Sequence, residues 1–101
     1  MGVLAMLELE GETPDLMAAS QALDRRLPAP EGLVARIVAP TDEGMVLFQL
    51  WASAEARQRN AADRAHAEAL VASGMQELVR GSRSRVFTGA ALRYVSPTEA
   101  C

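Results

Sequence analysis

The segment from Leu33 to Trp51 constrains the fold more than any other part of this chain. Leu33, Ala35, Ile37 and Ala39 alternate with Val34, Arg36 and Val38, which is the period of a β-strand. Met45, Leu47, Gln49 and Trp51 alternate in the same way with Val46, Phe48 and Leu50. Between the two runs, Pro40-Thr41-Asp42-Glu43-Gly44 has turn chemistry and the length of a hairpin loop. An antiparallel pair of strands is therefore predicted at the centre of the sequence.

The flanking segments extend this hairpin. Val3 to Leu9 reads as a strand, with Val3, Ala5, Leu7 and Leu9 on one face and Leu4, Met6 and Glu8 on the other. Glu10-Gly11-Glu12 breaks it. A helix follows, with Thr13 as its expected N-cap, Pro14 at its first position and Asp15 complementing the dipole. Leu16, Ala19, Leu23 and Leu27 give that helix one apolar stripe, and Pro28-Ala29-Pro30-Glu31-Gly32 stops it. After the hairpin, Ser53 is the expected cap of one long helix over 54–72, with Glu55 in its first turn. Ala62, Ala65, Ala69 and Leu70 mark its inner stripe, and His66 lies on or beside it. Gly74 ends this helix, Met75 to Arg80 adds a turn, and Arg83 to Val95 forms a last strand interrupted at Gly89.

Strand, helix, strand, strand, helix, strand is the order of a split βαβ arrangement. Right-handed crossovers then place both helices on one face of a four-stranded antiparallel sheet of order 4-1-3-2. The predicted class is α+β, a ferredoxin-like βαββαβ domain over 1–95 with a tail over 96–101.

Composition narrows the partners. Half of the 101 residues are apolar and 23% are charged, which excludes a disordered or low-complexity chain. No apolar run approaches the roughly 18 residues of a membrane span, and Met1 to Glu8 has no basic leader. No membrane partner is expected. Thirteen acids against ten bases leave a net charge of -3, so no nucleic-acid partner is expected either. All ten bases are arginine and nineteen residues are alanine, a bias we ascribe to a high-GC genome. Cys101 is the one cysteine, without a disulfide or zinc partner, which points to a reducing, cytoplasmic location. There is no glycine-rich phosphate loop, HExxH, CxxC or G-x-S-x-G, and no metal-ligand spacing, so neither metal nor cofactor is expected.

With the helices on one sheet face, the other is expected to carry Leu4, Met6, Val34, Val38, Met45, Leu47 and Trp51. That is too much contiguous apolar surface for a monomer to leave in water. A second copy of the sheet, related by twofold symmetry, is the expected cover. At this point the residues resemble a known family. The stretch from Gly32 to Pro40, followed by Gly44 to Ala56 with its Trp51-Ala52-Ser53-Ala54-Glu55-Ala56 run into a helix, is similar to the dimeric α+β barrel superfamily. That superfamily includes antibiotic-biosynthesis-monooxygenase-like and stress-responsive barrel proteins. The resemblance spans about residues 1–95 and implies a homodimeric barrel. Its members include cofactor-free oxygenases, polyketide cyclases, haem-degrading enzymes, isomerases and proteins without a known reaction. The haem-degrading members pair a helix histidine with a first-strand asparagine and a tryptophan. This first strand has no asparagine, and Trp51 precedes the helix, which argues against a haem reaction.

Glu8, Arg36 and Gln49 are assigned to the face lining the barrel interior, on strands placed side by side. Arg36 is the candidate holder of an oxyanion, Gln49 a neutral hydrogen-bonding group, and Glu8 a candidate base. The competing reading is a self-satisfied Arg36–Glu8 ion pair, or an Arg36 in the dimer interface. His66, the one histidine, is a candidate proton carrier at the cavity rim, or a helix histidine packed on the sheet. The resemblance also raises a histidine–tyrosine pairing, for which Tyr94 is the one tyrosine. Trp51 and Phe87 are candidate walls for an aromatic ligand, or core side chains. Arg80, Arg83 and Arg85 either meet an anionic substrate or form a solvated strand edge. The expected function is a cofactor-independent oxygenase or cyclase acting on a small aromatic or polyketide-like metabolite. The alternatives are a non-catalytic ligand-binding or accessory protein and a structural dimer with a filled barrel.

Overall fold

In a computed structural model describing residues 2–88, the hairpin stands where the alternation places it. Strands β2 (Leu33–Pro40) and β3 (Gly44–Trp51) pair antiparallel, and Thr41 and Gly44 exchange backbone hydrogen bonds of 3.1 and 3.4 Å across the turn. Strand β1 (Val3–Glu10) pairs antiparallel with β3 on one side and with β4 (Gly81–Thr88) on the other. The sheet order is β2-β3-β1-β4, as the split βαβ topology predicts. Helix α1 (Thr13–Arg26) crosses from β1 to β2; α2 (Ala54–Ala61), α3 (Arg64–Ala72) and the short α4 (Met75–Leu78) lead from β3 to β4. The chain has a ferredoxin-like α+β fold.

Two clusters hold the helices to one sheet face. Leu9 and Met45 pack with Leu16 and Ala19 of α1 and Met75 of α4; Val3 and Trp51 pack with Ala56 of α2. Cross-strand register explains why these strand residues share a face, since Val3 lies opposite Trp51 and Leu9 opposite Met45. Gly44 is tied into this arrangement: a Cβ there would sit 2.0 Å from the Leu9 carbonyl oxygen.

The register corrects the predicted faces. Val38, Met45, Leu47 and Trp51 belong to the helix-covered face with Val3, Ala5, Leu7 and Leu9. The uncovered face instead carries Leu4, Met6, Ala35, Ile37, Val46, Phe48, Leu50 and Phe87. Both faces of β3 are apolar, so its alternation names two faces without saying which is inside. In β2 a bulge at Val34 shifts the register between Leu33 and Ala35. One extra residue puts Leu33 on the same side as Arg36 and Val38, breaking the alternation read from the sequence.

Three local expectations also change. The helix predicted over 54–72 is two helices, because Asp63 ends the first and caps the second by accepting from Ala65 N at 3.0 Å. Ala62 and Ala65, placed on its inner stripe, are exposed, whereas Ala69 is buried as expected. Glu12, not Thr13, is the N-cap of α1, and the Thr13 hydroxyl donates to the Thr41 carbonyl instead. Ser53 caps α2 as predicted, accepting from Ala56 N at 3.1 Å. The last strand begins at Gly81, before the predicted Arg83. Its expected continuation past Gly89, Tyr94 and the 96–101 tail lie outside the described residues.

Candidate functional site

The helices do not fill the space over the β2 edge of the sheet. A cleft of about 730 Å³ opens there, floored by Leu33, Val34, Ala35, Arg36 and Val38 of β2. Its walls come from Leu23, Asp24 and Leu27 near the end of α1, the Pro28–Glu31 connection, and Asn60, Asp63, Ala65 and His66 around the α2–α3 break. Mostly apolar walls with a few converging polar groups are the composition of a small-molecule site.

Arg36 reaches this cleft from the helix-covered face, where its pairing with Gln49 places it. Its Nη1 donates to Asp24 Oδ1 at 2.5 Å, with the two side chains 24% and 49% exposed. The Nε is buried and has no acceptor. His66 is half-buried in the first turn of α3, and Asp63, which caps that turn, lies beside it on the lining. Arg36 on the floor and His66 on a wall therefore line one cleft.

The remaining candidates are dispersed. Gln49 lies opposite Arg36 in the β2–β3 register, but its Oε1 accepts from Trp51 Nε1 at 3.3 Å, and it does not line the cleft. Trp51 is 1% exposed and packed between Val3 and Ala56, a core side chain that offers no wall to a ligand. Glu8 is on the opposite sheet face from Arg36 and Gln49, which corrects the predicted three-residue cluster. Its carboxylate pairs with Arg83 at 3.6 Å and borders a second, smaller hollow of about 290 Å³ with Glu10, Asp42 and Glu43. Among the described residues no group of three or more His, Cys, Asp or Glu is placed to hold a metal. Phe87 is 41% exposed on the uncovered face, beneath the Arg85 guanidinium at 5.4 Å. Arg80 pairs loosely with Glu12 at 3.8 Å on the surface. Tyr94 lies outside the described residues.

Sequence reading missed Asp24, Glu31, Asn60 and Asp63. Each is a polar residue on a helix or connection, a pattern indistinguishable from a solvated face until the fold places it over β2.

Topology and helix placement define a ferredoxin-like α+β fold, and solved structures share it. SnoaB, a cofactor-independent oxygenase from Streptomyces nogalater, is similar with a TM-score of 0.67 and 16% identity, over 95% of each chain. A structure provisionally assigned as an antibiotic biosynthesis monooxygenase, from Chloroflexus aurantiacus, has a TM-score of 0.66 and 12% identity, covering 89% of this chain and 96% of its own. A dimeric ferredoxin-like protein of unknown function from Jannaschia has a TM-score of 0.64 and 19% identity, over 88% of this chain and 100% of its own. No protein-family model and no curated protein sequence matches the chain. Among the described residues no helix is long and apolar enough to cross a membrane.

Proposed function

We propose that the chain is a homodimeric small-molecule enzyme, a cofactor-independent oxygenase or cyclase that takes an uncharged aromatic or polyketide-like metabolite into the Arg36–His66 cleft. The observation that carries this reading is that the one histidine and a partly buried arginine line the same apolar cleft from different elements. His66 takes a proton from an acidic C–H or O–H of the ligand. The electron pair stays on the ligand oxygen, where Arg36 stabilises it. An anion of this kind can react with dioxygen or close a ring onto an internal carbonyl, so the same residues serve either outcome. The structural likeness to SnoaB supports the oxygenase branch at the level of fold.

The uncovered sheet face supports the dimer. Leu4, Phe48 and Leu50 lie on its two inner strands, and Ile37 and Phe87 are 59% and 41% exposed. A second copy covers such a face with the same surface. Anthrone, an uncharged tricyclic ketone with an acidic C–H, is a suitable probe, because its oxidation by dioxygen gives anthraquinone and water. Arg36→Ala and His66→Ala should each lower that rate at least about a hundredfold while sedimenting as the wild type does. Full activity in both variants would remove this site assignment. Binding of anthrone without turnover by the wild type would favour the accessory-protein reading.

A further inference from the structure

We infer that Asp24 sets the charge selectivity of the cleft: by occupying Arg36 it reserves the site for uncharged, oxygen-bearing aromatic ligands and turns carboxylates away. This rests on the reading of the cleft as a ligand site.

An exposed arginine in an apolar cleft is ordinarily an invitation to an anion. Here one arm of the guanidinium, Nη1, is already engaged by Asp24, while Nε has no acceptor. The Arg36–Asp24 contact is short, at 2.5 Å, and Asp24 is held beside β2 by α1, whose Leu16 and Ala19 are locked into the core. A tethered carboxylate competes with a free one at high effective concentration. An entering carboxylate must therefore displace Asp24 or sit next to it, and two like charges at such range repel. Glu31 and Asp63 stand on the same lining, so the cleft holds three carboxylates against one guanidinium. Asp63 is fixed in place by its cap to Ala65 N. A neutral ketone or phenol meets none of this repulsion and finds apolar contact on Leu23, Leu27, Leu33 and Val34. Charge that develops on its oxygen during proton loss can then draw on Arg36 at the expense of the Asp24 pair.

The test compares 2-naphthol and 2-naphthoate, alike in shape and different in charge at pH 7, by isothermal titration against the full chain. The wild type should bind naphthol at least about tenfold more tightly than naphthoate, the scale of one like-charge contact in a partly solvated site. Asp24→Asn should shift the naphthoate-to-naphthol affinity ratio toward naphthoate by at least about tenfold. Adding Arg36→Gln to Asp24→Asn should cancel the shift, because the gain runs through the freed guanidinium. Glu12→Gln, which removes the same charge from the surface beside Arg80, should leave the ratio within about twofold. Naphthoate binding to the wild type as tightly as naphthol overturns the inference, as does an Asp24→Asn ratio that does not move. Absence of binding by either probe to any variant overturns the cleft as a ligand site, and the inference with it.

Discussion

Replacing Gly32 with alanine should loosen the entrance to the cleft through two separable costs. Gly32 begins the approach to β2 at φ 87°, a left-handed conformation that charges an L side chain about 1–2 kcal/mol. The second cost is steric. A Cβ at this position would lie 2.4 Å from the Ala56 Cβ, well inside a normal carbon–carbon contact. Ala56 is buried under Trp51 in the first turn of α2, and neither methyl can rotate away. Relief requires the β2 and α2 backbones to separate, at the roughly 1–3 kcal/mol typical of overpacking. Gly32→Ala should therefore destabilise the protein by about 2–5 kcal/mol, read as a lower urea midpoint at fixed protein concentration. Ala56→Gly discriminates between the two costs. Alone it loses about 1 kcal/mol of helix propensity. In its background, however, Gly32→Ala should cost only the conformational share, leaving a coupling of about 1–3 kcal/mol in the double-mutant cycle. Additivity of the two substitutions within about 0.5 kcal/mol would refute the packing argument. Because Glu31 and Leu33 flank Gly32 and both line the cleft, the same variant should also weaken binding of 2-naphthol.

Other expected outcomes concern the elements that carry the site. Leu16→Ala empties a fully buried position between α1 and the sheet and should cost about 2–5 kcal/mol by urea denaturation, whereas a loss under about 1 kcal/mol would mean that α1 is not anchored there. Asp63→Ala removes the cap of α3 and should cost about 0.5–2 kcal/mol, with faster amide exchange at Ala65; unchanged exchange would contradict the capping role. Arg83→Ala breaks a largely solvated pair with Glu8 and should move stability by less than about 1 kcal/mol, and a larger loss would show that the pair is covered.

The hairpin, the first crossover and the sheet order were legible in the sequence because period-2 alternation, proline stops and turn chemistry agree along those segments. The inward face was not. β1 shows its direction through Glu8, an acid among apolar residues, but β3 is apolar on both sides and Gln49 points the wrong way. The register sets Gln49 on the covered face, where its amide oxygen accepts from the Trp51 ring nitrogen, a contact that alternation cannot reveal. The α2–α3 break was also hidden. Alanine, arginine and glutamine favour helix on either side of it, and Asp63 becomes a cap through one local hydrogen bond.

The register of β2 is the point on which the site turns. Pairing of Arg36 with Gln49 and of Val38 with Leu47 sets both on the helix side, where the cleft opens, while Ile37 and Ala39 lie on the bare side. The bulge at Val34 brings Leu33 to the helix side as well. The arginine is thereby removed from the surface proposed to meet a second subunit and committed to a space bounded by one subunit's own helices. The predicted Glu8–Arg36–Gln49 cluster needed both sheet faces to be one. Its failure leaves two separate devices instead: an apolar surface suited to assembly, edged by the Glu8–Arg83 pair, and a cleft whose cation is held in check by Asp24. Chemistry and assembly can then vary independently, since a substitution on Phe48 or Leu50 touches the first without entering the lining of the second.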